Sequence, residues 1–365
     1  MIKDYFISLS DFTEFVHKLN NKSLGKNIVI NGINDFDLDQ SFDLAIFSIN
    51  DLEIYSENLS DYTKKIRKKL YSLSSGGWNL KILDLGIFYR GSQHSDSLFA
   101  ISEILKQLSI LKVKALIINH GNNLTFDFYY ALKQNNNLIN IVSVDNKLPD
   151  NSLIRKILDD DDCKLGEYSC VGFQKHINNI DEIDLFNNML FETYSLGKIK
   201  NKIANTEPVF RNSDLIDINI RSVKSGDINN SHEFTNGLSS YEYCNLSRFA
   251  GLSKNLDLIS FSSLYQSSAI SSLISEGIWY AIDGMNNVID ENIDLNSENF
   301  IVYNVTVNNY DLKFVKSLIT NRWWVSLENT NLVQIEKSYI PCVEDDYLLS
   351  KNSIISDRIL SRIKN

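Results

Sequence analysis

Short, continuously apolar runs recur along most of the chain, and between them lie longer segments whose apolar positions return every three or four residues. The runs at 26–31, 43–49, 80–86, 115–118, 139–144, 169–173, 215–220 and 256–262 predict strands. The periodic segments at 60–73, 96–111, 125–134, 181–194, 241–249 and 269–283 predict helices, and Ser10-Asp11 reads as the cap of an earlier helix through Phe12, Phe15, Val16 and Leu19. Strands that are apolar throughout, rather than at every second position, are buried on both faces. The alternation therefore predicts an α/β fold of three layers, α-β-α, with a mostly parallel sheet of about eight strands.

Beyond position 287 the pattern changes. Residues 300–307 and 322–327 read as antiparallel strands and 342–365 as a helical tail, which predicts a small β-rich C-terminal extension. The expected division is 1–286 for the α/β domain and 287–365 for an extension packed on it. The paired Trp323 and Trp324 fit core or edge packing of that extension, or a partner surface.

Charge narrows the partners. A net charge of −10 and a pI near 5.1 argue against nucleic acid and anionic membrane surfaces, which repel an acidic protein. No segment approaches the roughly 18 apolar residues of a membrane span, and the N-terminus carries an acid at position 4 and no long apolar core, so no secretory signal is read there. Cys163, Cys170, Cys244 and Cys342 show no C-x-x-C pairing and read as reduced thiols. These features together predict a cytoplasmic protein. The basic helix at 60–73, with Ile66, Leu70 and Leu73 on one face, reads as a sheet-packing element with a solvated Lys/Arg side.

Candidate chemistry gathers where parallel strands end, because ligands of α/β sheets bind outside the carboxyl ends of their strands. The strand at 139–144 runs into Asp145-Asn146-Lys147-Leu148-Pro149, and that at 115–118 into Asn119-His120-Gly121-Asn122-Asn123. Asp217 and Asn219, two apart on a strand, share a face.

In this order of strands and loops the chain resembles the ureohydrolase superfamily of arginase, agmatinase and formimidoylglutamase, over roughly residues 24–285. It looks closest to a divergent bacterial branch, a likeness carried by Glu207-Pro208-Val209-Phe210-Arg211, Ser247 to Ser253, Arg322-Trp323-Trp324, Pro341-Cys342 and Asp346-Tyr347. The resemblance implies two manganese ions at the strand ends, held by histidines and aspartates and activating a bridging water for attack on a guanidinium or formimidoyl carbon. The family pattern Gly-Gly-Asp-His-Ser falls on 119–123 and places Asn122 at a metal histidine. Asp-Ala-His-x-Asp falls on 145–149, keeping Asp145 but putting Lys147 and Pro149 at the other ligands. Ser-Phe-Asp-x-Asp falls on 215–219, keeping Asp217 and replacing the second acid with Asn219. Where the family carries a substrate-side glutamate, the chain has Ser262-Ser263-Leu264.

Asn122, Asp145, Lys147, Pro149, Asp217 and Asn219 thus outline a degenerate pocket with no catalytic residue and no metal cofactor assigned. Lys147 is expected to pair with Asp145 and Asp217 as an ionic plug in place of the metals, with Arg221 near the rim. The expected function is that of a catalytically inactive member of the family, a pseudoenzyme binding an unidentified protein partner, with a homo-oligomer left open. Two alternatives stand beside it. One is a metal-dependent carbon-nitrogen hydrolase, including a rebuilt site that uses His120, Asp145 and either Asp84 or Asp217; the other is a small-anion-binding protein in which Lys147, with or without Arg221, grips an anion in the old pocket.

Overall fold

The computed structural model describes residues 2–38, 41–50, 57–121, 123–136, 138–230, 234–263, 265–327 and 339–364. Its centre is a sheet of ten strands: β1 (Phe6–Ile7), β2 (Val29–Ile30), β3 (Leu44–Asn50), β4 (Ile82–Phe88), β5 (Lys114–His120), β6 (Ile139–Val144), β7 (Leu165–Phe173), β8 (Glu192–Ser195), β9 (Leu215–Asn219) and β10 (Leu258–Ser263). They lie in the order β1-β4-β3-β5-β10-β9-β6-β7-β8, with β2 also beside β4. All neighbours are parallel except β1, which runs antiparallel to β4. Two apolar cores cover the two faces. One packs Ile216, Ile218, Ile259 and Phe261 under the helices Glu57–Ser72, Ser240–Gly251 and Ser268–Asn286; the other packs Ile117, Ile141, Leu215 and Leu258 under His94–Ile110, Thr125–Leu132 and Asn151–Leu158. This is the expected three-layer arrangement, because continuous apolar runs such as Leu44 to Ile49 have something to bury on both sides.

Ten strands replace the expected eight for local reasons. β1 is two residues long and too short to show a period. β8 lies where the helix at 181–194 was expected to continue; that helix closes at Asn188, and Leu190 takes a positive φ of 55° that turns the chain back along β7. The first expected strand, 26–31, shrinks to Val29–Ile30.

One irregularity sets side-chain direction. The register between β3 and β4 shifts where Ile46 faces Asp84 and Phe47 faces Gly86. This bulge rests on Gly86 at φ +100°, where a Cβ would stand 2.3 Å from the carbonyl oxygen of Ile7. It aims the Asp84 carboxylate at Arg67, whose side chain is fully buried. The basic helix is therefore not solvated on its whole cationic side: Arg67 turns into the sheet, correcting that part of the reading.

The C-terminal strands β11 (Phe300–Val307), β12 (Tyr310–Ser317), β13 (Trp323–Leu327) and β14 (Ile340–Cys342) form an antiparallel sheet in sequence order with a core of its own around Phe314, Trp323, Val325 and Ile359. The unforeseen β12 joins β11 through Asn308-Asn309, both left-handed at φ 49° and 69°, as the tightest hairpin turns require. The expected helical tail is two short helices, Glu344–Lys351 and Asp357–Lys364, while Cys342 ends β14. Among the described residues, no helix is long and apolar enough to cross a membrane.

Residues that carried the branch likeness meet at the seam between the two sheets. Arg211 donates to the carbonyl oxygens of Trp323 at 2.7 Å and Cys342 at 3.2 Å, pairs with Glu207 at 2.6 Å, and lies 5.0 Å from the centre of the Trp324 ring. Glu207 also receives Arg322 at 3.1 Å. Arg358 holds Asp346 at 2.6 Å and donates to the Asn205 carbonyl at 2.8 Å and to the Tyr194 hydroxyl.

Candidate functional site at the strand ends

Three adjacent strands change character together along one face. On β6 the positions run Ile141, Ser143, then Asp145; on β9 Leu215, Asp217, Asn219; on β10 Leu258, Ser260, Ser262. Residues two apart share a face, and the register sets Ser143 beside Asp217 and Asp217 beside Ser260. The apolar base of the sheet thus gives way to a buried polar shelf at its carboxyl edge, with Asp145 at 3% exposure and Asp217 at 1%.

Asp217 sits deepest. One carboxylate oxygen accepts from the Ser262 hydroxyl, and Ser262 lies 3.1 Å from Ser260. The other oxygen, Oδ2, has no hydrogen-bond partner. Burial pushes its pKa up to about 6, reinforced by the Asp145 charge and opposed by Ser262, Ser260 and Arg221.

Asp145 is held differently. Both its oxygens accept from Arg221, Oδ1 from Nε at 2.6 Å and Oδ2 from Nη2 at 2.6 Å. Arg221 reaches back because the chain makes a tight turn over Ile220–Ser222 directly after β9, with the Asn219 side chain accepting the Arg221 N–H at 3.1 Å. Asn146 completes the arrangement by donating to the Arg221 carbonyl at 2.8 Å.

The expected plug is therefore built from a different cation. Lys147 is exposed, and its backbone N–H, rather than its ammonium group, makes the recorded contact with Asp145, at 3.3 Å. The reason is positional: β6 ends at Val144, so the two-residue alternation that would have aimed Lys147 inward no longer holds at 147. Pro149 is half-buried beside Asp150, whose carboxylate caps the next helix through the Ser152 N–H at 2.7 Å. Asn122 lies outside the described residues.

Nor does the structure bring His120 and Asp84 together. Asp84 faces Ile46, and Ile46 faces Leu116, so His120 lies four residues further along β5, on the order of 13 Å in a strand. Asp84 is committed to Arg67, to the Tyr71 hydroxyl at 2.6 Å and to the Gly86 N–H at 2.9 Å. His120 instead lies against Tyr62, the ring centres 4.9 Å apart and the planes tilted by 52°, with its Nε2 3.1 Å from the Gln266 amide. That separation removes Asp84 from the alternative site, and Asp145, its other acid, is held by Arg221.

Arg221, Asn146 and Ser262 are the participants sequence reasoning left out or left at the margin. Arg221 had a signal, being the first base after a strand end that carries two polar ligand-like positions.

A di-manganese pair needs several carboxylate and imidazole donors with free lone pairs. Here both Asp145 oxygens are taken by a guanidinium and the Asn219 oxygen by a backbone N–H. Among the described residues no group of three His, Cys, Asp or Glu side chains is placed to hold a metal ion. The donors present do not fit the pair.

The ten-stranded, mostly parallel sheet with helices on both faces is an arginase-like α/β fold. No family model and no curated protein sequence matches the chain. Solved structures do. Formiminoglutamase from Trypanosoma cruzi with Mn2+ aligns at a TM-score of 0.60 and 16% identity, covering 73% of this chain and 99% of that one. Formimidoylglutamase from Bacillus subtilis aligns at 0.62 and 13% identity, covering 73% and 93%. A hypothetical agmatinase from Burkholderia thailandensis aligns at 0.57 and 14%, covering 74% and 92%. At these identities the likeness is one of fold.

Proposed function

We propose that the chain is a non-catalytic protein of arginase-like fold, a pseudoenzyme that acts in the cytoplasm as a binding or scaffold subunit for a protein partner. The observation that carries this reading is the bidentate hold of Arg221 on Asp145, at 2.6 Å on each oxygen. It spends the one acid kept in the second motif on an internal ion pair, so a nucleophilic water has no pair of cations to be bound by. The substitutions at Asn122, Lys147, Pro149 and Asn219 point the same way. In this reading the C-terminal unit, from about residue 287, supplies binding surface that the catalytic fold alone does not need.

The hydrolase alternative finds no group of three His, Cys, Asp or Glu side chains placed to hold a metal among the described residues, and the anion-binding alternative is left with Lys147, because Arg221 is engaged by Asp145. The test is incubation of purified protein with formimidoylglutamate, agmatine and arginine in the presence of manganese. No release of formamide or urea above a protein-free control is expected; turnover of any of the three contradicts the proposal. Affinity capture from the native cell, with recovered partners checked by reconstitution, addresses the binding half.

A further inference from the structure

Asp145 and Asn219 lie at two neighbouring strand ends, with Asp217 deeper on the same face, and Arg221 is bonded to three residues there, Asp145, Asn219 and Asn146. Its guanidinium takes both Asp145 oxygens, its N–H is accepted by Asn219, and its carbonyl accepts from Asn146. These partners come from the loop after β6 and the end of β9, the two stretches to which the resemblance assigns metal ligands. A metal pair ties such loops together by sharing their carboxylates. Arg221 ties them through a charged fork and two backbone hydrogen bonds, which suits a guanidinium better than an ammonium because the fork matches a carboxylate.

A second observation is independent of the ion pair. Asp217 Oδ2 is buried and has no hydrogen-bond partner. An unpaired acceptor of that kind is costly unless something satisfies it.

We propose that Arg221 is a built-in substitute for a bound cation, closing a latent divalent-cation site formed by Asp145, Asp217 and Asn219. This rests on the non-catalytic reading above and adds to it. Without the guanidinium, the buried carboxylates of Asp145 and Asp217 remain on one face, beside an Asn219 oxygen that keeps the N–H of residue 221 on one lone pair and has the other to offer, hard oxygen donors that a dication of the manganese, magnesium or calcium kind would neutralise. The wild type has its cation already and takes none.

Thermal unfolding of the full chain, in EDTA and in millimolar manganese chloride, tests this. The wild-type melting temperature is expected to be the same in both. Arg221→Ala is expected to melt lower in EDTA by about 5 °C or more, and to recover at least half of that loss saturably in manganese. Arg221→Lys is expected to fall between the two in EDTA with no manganese response, and Arg221→Ala combined with Asp145→Asn to lose the recovery. If Arg221→Ala does not fold, Arg221→Gln carries the same comparison, because it keeps a polar side chain at the turn while removing the charge. An Arg221→Ala protein that melts like the wild type, or that ignores manganese, overturns the proposal alone. A wild type stabilised by manganese overturns both this proposal and the non-catalytic reading.

Discussion

Arg67 and Asp84 form an ion pair with both side chains at zero exposure, closed at 2.9 Å between Nε and Oδ2. Every edge of the guanidinium is used: Nη1 donates to Ser48 Oγ at 3.0 Å, and Nη2 to the second Asp84 oxygen at 3.1 Å and to the Gly86 carbonyl at 2.8 Å. Removing one partner of such a pair leaves a buried charge unpaired, at a cost of about 3–5 kcal/mol. Arg67→Met is therefore expected to shift the urea midpoint strongly. Arg67→Met with Asp84→Leu is expected to recover part of the loss, though the Tyr71 hydroxyl and the Gly86 N–H then lack their acceptor. A single variant as stable as the wild type contradicts this role.

Arg211 is the hinge pin of the seam. With its guanidinium gone, the carbonyls of Trp323 and Cys342 lose that donor and, among the described residues, Glu207 is left with the Arg322 ion pair. In Arg211→Ala, amide hydrogen exchange in β13 and β14 is expected to accelerate about tenfold or more, since the local opening energy falls by at least one charged hydrogen bond. Amides of β5 and β10, in the other sheet, are expected to keep their protection. Arg211→Lys is expected to rescue little, because a point charge does not serve Glu207 and two carbonyls at once. Equal acceleration in both sheets contradicts a local seam.

Asp217 makes stability depend on pH. Its folded pKa, about 6, lies above that of an unfolded aspartate, so the folded state binds the proton more tightly. That contribution is fully present below about pH 4 and is lost as pH rises through 6. Asp217→Asn is expected to be nearly neutral at low pH and stabilising above pH 6, by at most about 2–3 kcal/mol. Asp214, also raised to about 6 by burial, keeps a similar slope in both proteins, so the difference between their pH profiles is the quantity to measure. Profiles that run parallel from pH 4 to 7 contradict the assignment.

How much of this was legible in the sequence depended on whether a short-range pattern fixed the geometry. The long buried strands were readable because Leu44 to Ile49 or Leu215 to Ile220 satisfy a parallel sheet and little else. β1 and β8 were not: the first is held by pairing with a distant partner, and the second is diverted by the positive φ at Leu190. Within the site, Asp145, Asp217 and Asn219 fall on one face of the strand ends because each lies on a strand or is the first residue after one. Lys147 and Arg221 exchanged roles because both lie beyond strand ends, where direction is set by turns. Arg221 turns inward onto Asp145 after the Asn219 cap, whereas Lys147, whose N–H makes a similar contact two residues back to Asp145, leaves its side chain exposed. Arg67 was missed because helical periodicity marks it as basic surface, and only the bulge at Gly86 supplies its partner.

The question beneath all of this is whether the strand ends still take metals. The most direct measurement is the manganese content of the wild-type protein, by elemental analysis after incubation with excess manganese and removal of free ion. With Arg221 bonded to both oxygens of Asp145, manganese is expected at background, well below one ion per chain. Two ions per chain would mean that the guanidinium yields to metal, and would contradict the non-catalytic reading outright.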